Sequence, residues 1–467
     1  MKVVFCCSEM APFAKTGGLA DVCGALPLAL MKEEVDVCVV MPFYREVQQR
    51  NIPFKMLDHD VAVANYQGLD VFFIKNEVFF NRDGLYGTPH GDYGDNLERF
   101  AFFNKRVLQL LKDIRLAPDI IHCHDWQTAL IPAYLKFYYQ GDSLFEKTKT
   151  FFTIHNLAYQ GIFPRDKFFV LGLPHELNSI NGVEYYGQLS LLKGGLLFSD
   201  YITTVSPQYA KEIQHRESGR GMEGVIRFRS DRLSGILNGI DAEYWNPEKD
   251  TLIAHPYSMN DMSGKAKNKV ILQKESGLPV CEYIPVFGFV GRLSEQKGID
   301  VIAQGIEEMM QYPVQLIFQG VGEQRFEDLL RSFQRRFPEK IAVHIQFDET
   351  MAHRIYAGSD LLLMPSVYEP CGLSQLIAFR YGTIPLVHHT GGLVDTVMPF
   401  KLTNNQGDGF VFTRFDKESL LKTFETAVKV FEDRDLFLDL STRVMRYDFS
   451  WMTSAVEYRK LYQACIS

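Results

Sequence analysis

Residues Lys2 to Leu30 read KVVFCCSEMAPFAKTGGLADVCGALPLAL. The opening run, KVVFCC, is apolar without alternation, the pattern of a strand covered on both faces. Gly17 and Gly18 then mark a loop, and the spacing from Ala20 to Leu30 predicts a helix. A strand, a glycine-bearing loop and a helix form the first half of a parallel βα unit. The pattern recurs in VDVCVVMP (35–42), DIIHCH (119–124), TKTFFTIH (148–155), YITTVS (201–206) and SGILN (234–238). Each is short, apolar and followed by a loop or helix, as in a doubly wound parallel sheet.

The pattern then restarts. After the polar stretch MNDMSGKAKNK (259–269), IPVFGFVG (284–291) reads as a second first strand. It leads into the loop GRLSEQKG (291–298) and a helix over 299–310. VQLIFQG, a helix over 325–337, AVHIQF, DLLLMP, a helix from Ser374 and TIPLVHH complete a second unit. The expected domains are 1–243 and 244–449. Residues 450–467 form a terminal helix, spaced through Trp451, Ala455, Tyr458 and Tyr462 to pack back on the first domain.

A chain of 467 residues is too long for one ordinary core, which agrees with two domains. Its formal charge of −8 argues against general affinity for nucleic acid or an anionic membrane, but leaves room for a local cationic pocket. The eight cysteines are scattered, with no Cys-x-x-Cys pair, and read as reduced thiols in a cytoplasmic protein. MKVVFCCSEM is no signal peptide, because its apolar run is short and Glu9 follows at once. No apolar stretch reaches membrane-spanning length.

Chemistry concentrates where strands end, the place where open α/β sheets bind ligands. Lys15, Gly17 and Gly18 join a full charge, close backbone approach and a helix start, three features that suit an anion. The other reading is a tight turn with a solvated lysine. Neither Gly-x-Gly-x-x-Gly nor Gly-x4-Gly-Lys-Ser/Thr is present, which weakens dinucleotide and P-loop readings. Arg292 and Lys297 flank the next candidate loop, as a diphosphate grip or as ordinary exposed charges. In MPSVYEPCGLS (364–374), Glu369 could meet sugar hydroxyls, or simply be an acid suited to a helix start. His122, His124 and Asp125 lie at one strand end, His155 and Asn156 at another, without standard metal-ligand spacing. Asp58 and Asp60 make a short acidic pair of a kind that arises by chance. Thr-Gly-Gly-Leu-x-Asp occurs twice, at 16–21 behind Lys15 and at 390–395 behind His389. Both copies are expected to be strand-to-helix turns whose glycines meet the same backbone need.

Taken in order, these motifs closely resemble bacterial glycogen synthases and plant starch synthases. The set comprises Lys15-Thr-Gly-Gly-Leu-Ala-Asp-Val, His124-Asp125-Trp126, His155-Asn156-Leu-Ala-Tyr-Gln-Gly, Asn238-Gly-Ile-Asp, Gly291-Arg-Leu-x-x-Gln-Lys297-Gly, Glu369-Pro-Cys-Gly-Leu and Thr390-Gly-Gly-Leu. It covers nearly the whole chain. The resemblance implies the GT-B architecture, two Rossmann-like domains facing a cleft. It implies retaining transfer of glucose from ADP-glucose to the non-reducing end of an α-1,4-glucan, in the cytoplasm, with no cofactor and no metal. By match, Lys15, Arg292 and Lys297 hold the diphosphate, with the amides of Gly17, Gly18 and Cys371, Gly372, Leu373 and Ser374. Asp21, Asp125, His155, Asn156 and Glu369 surround glucose and acceptor. Tyr93 and Asn238 line the donor site, and Phe347 offers an aromatic face to adenine. Many members of the wider superfamily carry a second glutamate eight positions after the first. Here that position is Ile377, so ribose must be recognised elsewhere.

The chemistry of the residues agrees. Breaking a glucose–phosphate bond puts negative charge on the leaving diphosphate, which fixed cations and amides stabilise. Retention needs a carboxylate nucleophile or same-face attack. His155 and Asn156 supply no carboxylate, so same-face attack is preferred. A glucan phosphorylase would need a pyridoxal-phosphate lysine and a longer chain. A non-enzymatic glucan-binding scaffold would have no need of Lys15, Arg292, Lys297 and Glu369.

Overall fold

The computed structural model describes residues 1–50, 52–88 and 91–466. The chain divides into two compact units, Met1–Gly239 with Trp451–Ser467, and Ile240–Ser450.

The first unit is built on nine strands: β1 (Lys2–Cys6), β2 (Asp36–Pro42), β3 (Lys55–Asp58), β4 (Val61–Tyr66), β5 (Leu69–Ile74), β6 (Ile120–His124), β7 (Lys149–Ile154), β8 (Tyr201–Thr204) and β9 (Leu233–Gly235). Their order across the sheet is β9-β8-β7-β6-β1-β2-β5-β4-β3. Strands β9 through β5 run parallel, and β4 and β3 add an antiparallel edge. Val3, Val4, Phe5 and Cys6 are fully buried, so both faces of β1 are covered. One cover is the Gly18–Lys32 helix, which packs against the terminal Trp451–Ile466 helix. Tyr458 and Tyr462 bury their rings there, and the Tyr462 hydroxyl meets Nδ1 of His122 at 2.6 Å. Burial of each such ring contributes roughly 2–3 kcal/mol.

In the second unit the strands are β10 (Val286–Val290), β11 (Gln315–Gln319), β12 (Ile341–His344), β13 (Leu361–Met364), β14 (Ile384–His388) and β15 (Phe410–Phe412). All run parallel in the order β12-β11-β10-β13-β14-β15. The order turns from β10 outward in both directions, which opens a switch point between β10 and β13 at their carboxyl ends. The loops leaving these two strands carry Arg292, Lys297 and Glu369. All eight cysteines are free thiols, six of them buried. No described helix is long and apolar enough to cross a membrane.

Candidate active site

In the first unit, the loop between β1 and the Gly18–Lys32 helix is organised by Glu9. Its buried carboxylate accepts from Thr16 N at 2.5 Å, Thr16 Oγ1 at 2.7 Å, Gly17 N at 3.2 Å and the Tyr86 hydroxyl at 2.6 Å. The Gly17 amide, expected to face an anion, therefore serves this internal acceptor. Gly17 is the N-cap at φ −159°, and the helix start has no side-chain cap. A Cβ on Gly17 would meet nothing within 4 Å, so the space above it is open. Lys15 stands beside this opening, its Nζ 2.6 Å from Oδ1 of Asp21 in the first helical turn. Glu9 was not among the residues singled out from sequence. Its only signal is an acid placed immediately after a buried strand.

At the ends of β6 and β7 lies a buried polar cluster. Asp125 holds a left-handed backbone, φ +55°, rare for a non-glycine residue. Its Oδ1 accepts from His155 N at 2.8 Å. Burial pushes its carboxyl up to about 7; the His155 and Asn156 amides oppose the shift and the nearby Glu9 adds to it. Burial lowers His155 to about 3 and holds His124 well below the usual histidine range, so both rings are neutral near pH 7. His124 Nδ1 and His155 Nε2 are 3.0 Å apart. A neutral ring has one N–H and one lone pair. Nε2 of His124 is buried without a partner among the described residues, and an orphaned lone pair is tolerated better than an orphaned N–H. This pattern assigns the His124 proton to Nδ1, donating to His155 Nε2, and leaves His155 with its own N–H on Nδ1. Asn156 uses Oδ1 to accept from Ala158 N at 3.0 Å. The Asn238 carboxamide oxygen is buried and has no partner among the described residues. The Tyr93 hydroxyl donates to the Asp83 carbonyl, and its ring lies 5.0 Å from the guanidinium carbons of both Arg82 and Arg99.

The second unit clamps Glu369. Its Oε2 accepts from Lys297 Nζ at 2.5 Å and Ser366 Oγ at 2.9 Å. Its Oε1 makes no hydrogen bond among the described residues. The Glu369 loop is held from two sides. On one, Gln296 O accepts from Val367 N at 2.8 Å, and Gly298 sits so close that a Cβ would meet Pro365 O at 1.8 Å. On the other, Gly392 N donates to Glu369 O at 3.0 Å. A Cβ on Gly391 would lie 2.0 Å from Glu369 O, and one on Gly392 2.1 Å from Cys371 O.

The two Thr-Gly-Gly copies therefore differ, contrary to the expectation of one shared need. Gly17 borders open space, whereas Gly391 and Gly392 receive the backbone that carries Glu369. Cys371 and Gly372, the latter at φ +72°, lead into the short Ser374–Arg380 helix, whose N-cap Leu373 offers no side-chain cap. Arg292 is exposed, and Phe347 presents 84% of its surface to solvent. Ile377 is buried in the core of the second unit. Beside the carboxyl end of β5, Asp58, His59 and Asp60 cluster within 4.8 Å on a turn, where Arg106 holds the Asp60 carboxylate at 2.7 and 2.8 Å.

Two doubly wound units with charged strand-end loops have the GT-B architecture, and the matches to known proteins place the chain among glycosyltransferases. Residues 2–228 match the starch synthase catalytic domain, and residues 281–436 match the glycosyl transferases group 1 domain. The chain is 44% identical to glycogen synthase of Desulforamulus reducens, covering 99% of this chain and 98% of that one. Against glycogen synthase 2 of Geobacter sulfurreducens it is 45% identical at the same coverage. Its backbone superposes on the catalytic domain of starch synthase IV from Arabidopsis thaliana, solved bound to ADP and acarbose, with a TM-score of 0.92, 33% identity and 99% of both chains covered. The sucrose-phosphate synthase of Thermosynechococcus elongatus, at 17% identity and a TM-score of 0.62, shares the fold. The chain belongs to the glycogen and starch synthase family.

Proposed function

We propose that this chain transfers glucose from ADP-glucose to the non-reducing 4-hydroxyl of an α-1,4-glucan, with retention, in cytoplasmic glycogen biosynthesis. The observation that carries the reading is the clamped Lys297–Glu369 pair at the switch point of the second sheet. It sets a cation for a diphosphate beside a carboxylate oxygen kept free for a sugar hydroxyl.

In this reading the second unit takes the nucleotide sugar. Arg292 and Lys297 neutralise the diphosphate, aided by the amides from Cys371 to Ser374, and Phe347 stacks on adenine. Glu369 orients glucose through Oε1. The first unit serves the acceptor and contributes Lys15 and the open helix start at Gly18 to the phosphates, with Tyr93 and Asn238 lining the donor. Asp21, Asp125, His155 and Asn156 attend the sugars. His155 offers a donor from Nδ1, so it meets a hydroxyl oxygen and takes no proton. The bond from the glucose anomeric carbon to phosphate breaks, its electron pair going to the phosphate oxygen. The acceptor oxygen bonds to that carbon from the same face, and its proton passes to the departing phosphate. Ionised Asp125 stabilises the positive charge that builds on the sugar.

Glu369→Gln keeps the shape and removes the charge. It should lower kcat about tenfold or more with little change in KM for ADP-glucose, the loss expected for a charge-assisted hydrogen bond of roughly 1.5–3 kcal/mol. Steady-state ADP release with glycogen as acceptor measures it. A normal kcat would reduce Glu369 to an acid that suits a helix start.

A further inference from the structure

Between β7 and β8 the chain makes an excursion that begins with His155–Gly161 and includes a small three-stranded sheet of Ile162–Pro164, Gln188–Ser190 and Glu184–Tyr185. The last two strands are joined by the two-residue turn Tyr186–Gly187, with φ +47° and +80°. A hairpin turn with both central residues at positive φ favours Asn-Gly or Gly-Gly, and a bulky side chain at the first position is strained. Yet Tyr186 stands there, with 79% of its surface exposed. Burial does not explain it.

The neighbours give the strain a direction. The Tyr185 ring stands against the Tyr186 ring, with centroids 4.8 Å apart at 85°. The Tyr185 hydroxyl donates to Arg220 O at 2.7 Å, and Gln160 Nε2 donates to the same oxygen at 3.0 Å. Gln160 also donates to Leu157 O at 3.2 Å. The tyrosine pair is thus tied by hydrogen bonds to the segment that carries His155 and Asn156. Gly221, at φ +82°, lies so close beneath that a Cβ would meet the Tyr185 hydroxyl at 2.3 Å. The pair is an aromatic corner on the chain leaving the carboxyl end of β7, with Tyr185 half-buried and hydrogen-bonded and Tyr186 facing solvent. An aromatic ring offers an apolar face of little conformational freedom, with a hydroxyl at its rim. That suits a sugar ring, whose C–H face stacks while its hydroxyls stay wet.

We infer that Tyr185 and Tyr186 form a platform for the outer residues of the acceptor glucan, beyond the glucose units that react. This rests on the acceptor role proposed above for the His155 segment. The backbone strain at Tyr186 is kept because the ring holds a long acceptor.

The test uses the full chain with Tyr186→Asn, Tyr186→Ala and Tyr186→Trp. Asn fits the turn, so Tyr186→Asn should raise Tm by ~2 °C or more. It should also raise KM for glycogen about five- to tenfold, with kcat and KM for ADP-glucose within about twofold and KM for maltotriose unchanged. Tyr186→Trp should retain a low KM for glycogen. Glycogen-containing native gels without donor should retard the wild type and Tyr186→Trp, and retard Tyr186→Ala clearly less. A lower Tm for Tyr186→Asn, an unchanged KM for glycogen, or equal retardation of wild type and Tyr186→Ala would overturn the platform. If the wild type turns over no ADP-glucose but the gels still separate it from Tyr186→Ala, the platform stands and the donor assignment falls.

Discussion

Gly17 and Gly391 carry the same motif and answer to different physics. At Gly17 an added methyl meets nothing and the backbone is extended, so Gly17→Ala should leave Tm unchanged within ~1 °C. It should still cost about tenfold in kcat/KM if phosphate approaches the open helix start. At Gly391 the same methyl would strike the Glu369 carbonyl oxygen at 2.0 Å, and φ is +48°. Gly391→Ala should cost about 2 kcal/mol or more of stability and displace Glu369. Thermal melts and steady-state kinetics on both variants check the contrast, and a silent Gly391→Ala would refute the clamp. Asp125 gives a second residue-level expectation. Its carboxyl is raised to about 7 in the folded chain from a reference of 3.8. Between those values the native state holds a proton that the unfolded chain has lost, so stability falls as pH rises through that window. Asp125→Asn should flatten the decline, by at most about 4 kcal/mol. In the wild type, kcat/KM should climb as Asp125 ionises near pH 7. His155 cannot account for that limb, since it stays neutral down to about pH 3. A wild-type profile flat from pH 5.5 to 8 would remove ionised Asp125 from the mechanism.

Among the elements, strands and their following loops were legible because apolar runs without alternation have one common outcome, a parallel sheet covered on both faces. What holds each loop in place was not legible. Glu9 reaches seven positions to Thr16 and 77 to Tyr86, and Ser366 supports Glu369 only after the chain has turned. Such partners share no spacing rule: Ser366 lies three positions from Glu369 and Tyr86 lies 77 from Glu9, so the path of the folded backbone decides the pairing. His124 lies at a strand end without metal-ligand spacing, and the structure gives it a task no spacing reveals, fixing the His155 ring from 3.0 Å. The terminal helix belongs at this scale too. Its Tyr462 hydroxyl bonds to His122, whose Nε2 meets Thr153 Oγ1 at 2.5 Å. Tyr462→Phe leaves a buried ring nitrogen unpaired and should cost about 1–2 kcal/mol. Urea melts would show it as a lower midpoint at constant slope, and an unchanged midpoint would make the helix a purely apolar cover.

For the whole molecule, the ordered motifs pointed to two Rossmann-like domains and to the family, and the fold and the relatives agree. Composition alone would not have done so, since an acidic chain of ordinary apolar content fits many enzymes. The identical Thr-Gly-Gly letters also hid two different jobs, because a glycine in sequence does not say whether space or backbone lies above it. The central claim is that this chain lengthens an α-1,4-glucan with glucose from ADP-glucose. The most direct measurement incubates the purified chain with ADP-glucose and a maltooligosaccharide of defined length, and follows ADP and product length together. The account predicts ADP released one-for-one with added α-1,4-linked glucose. ADP released with free glucose and no lengthening, or no ADP at all, would contradict it.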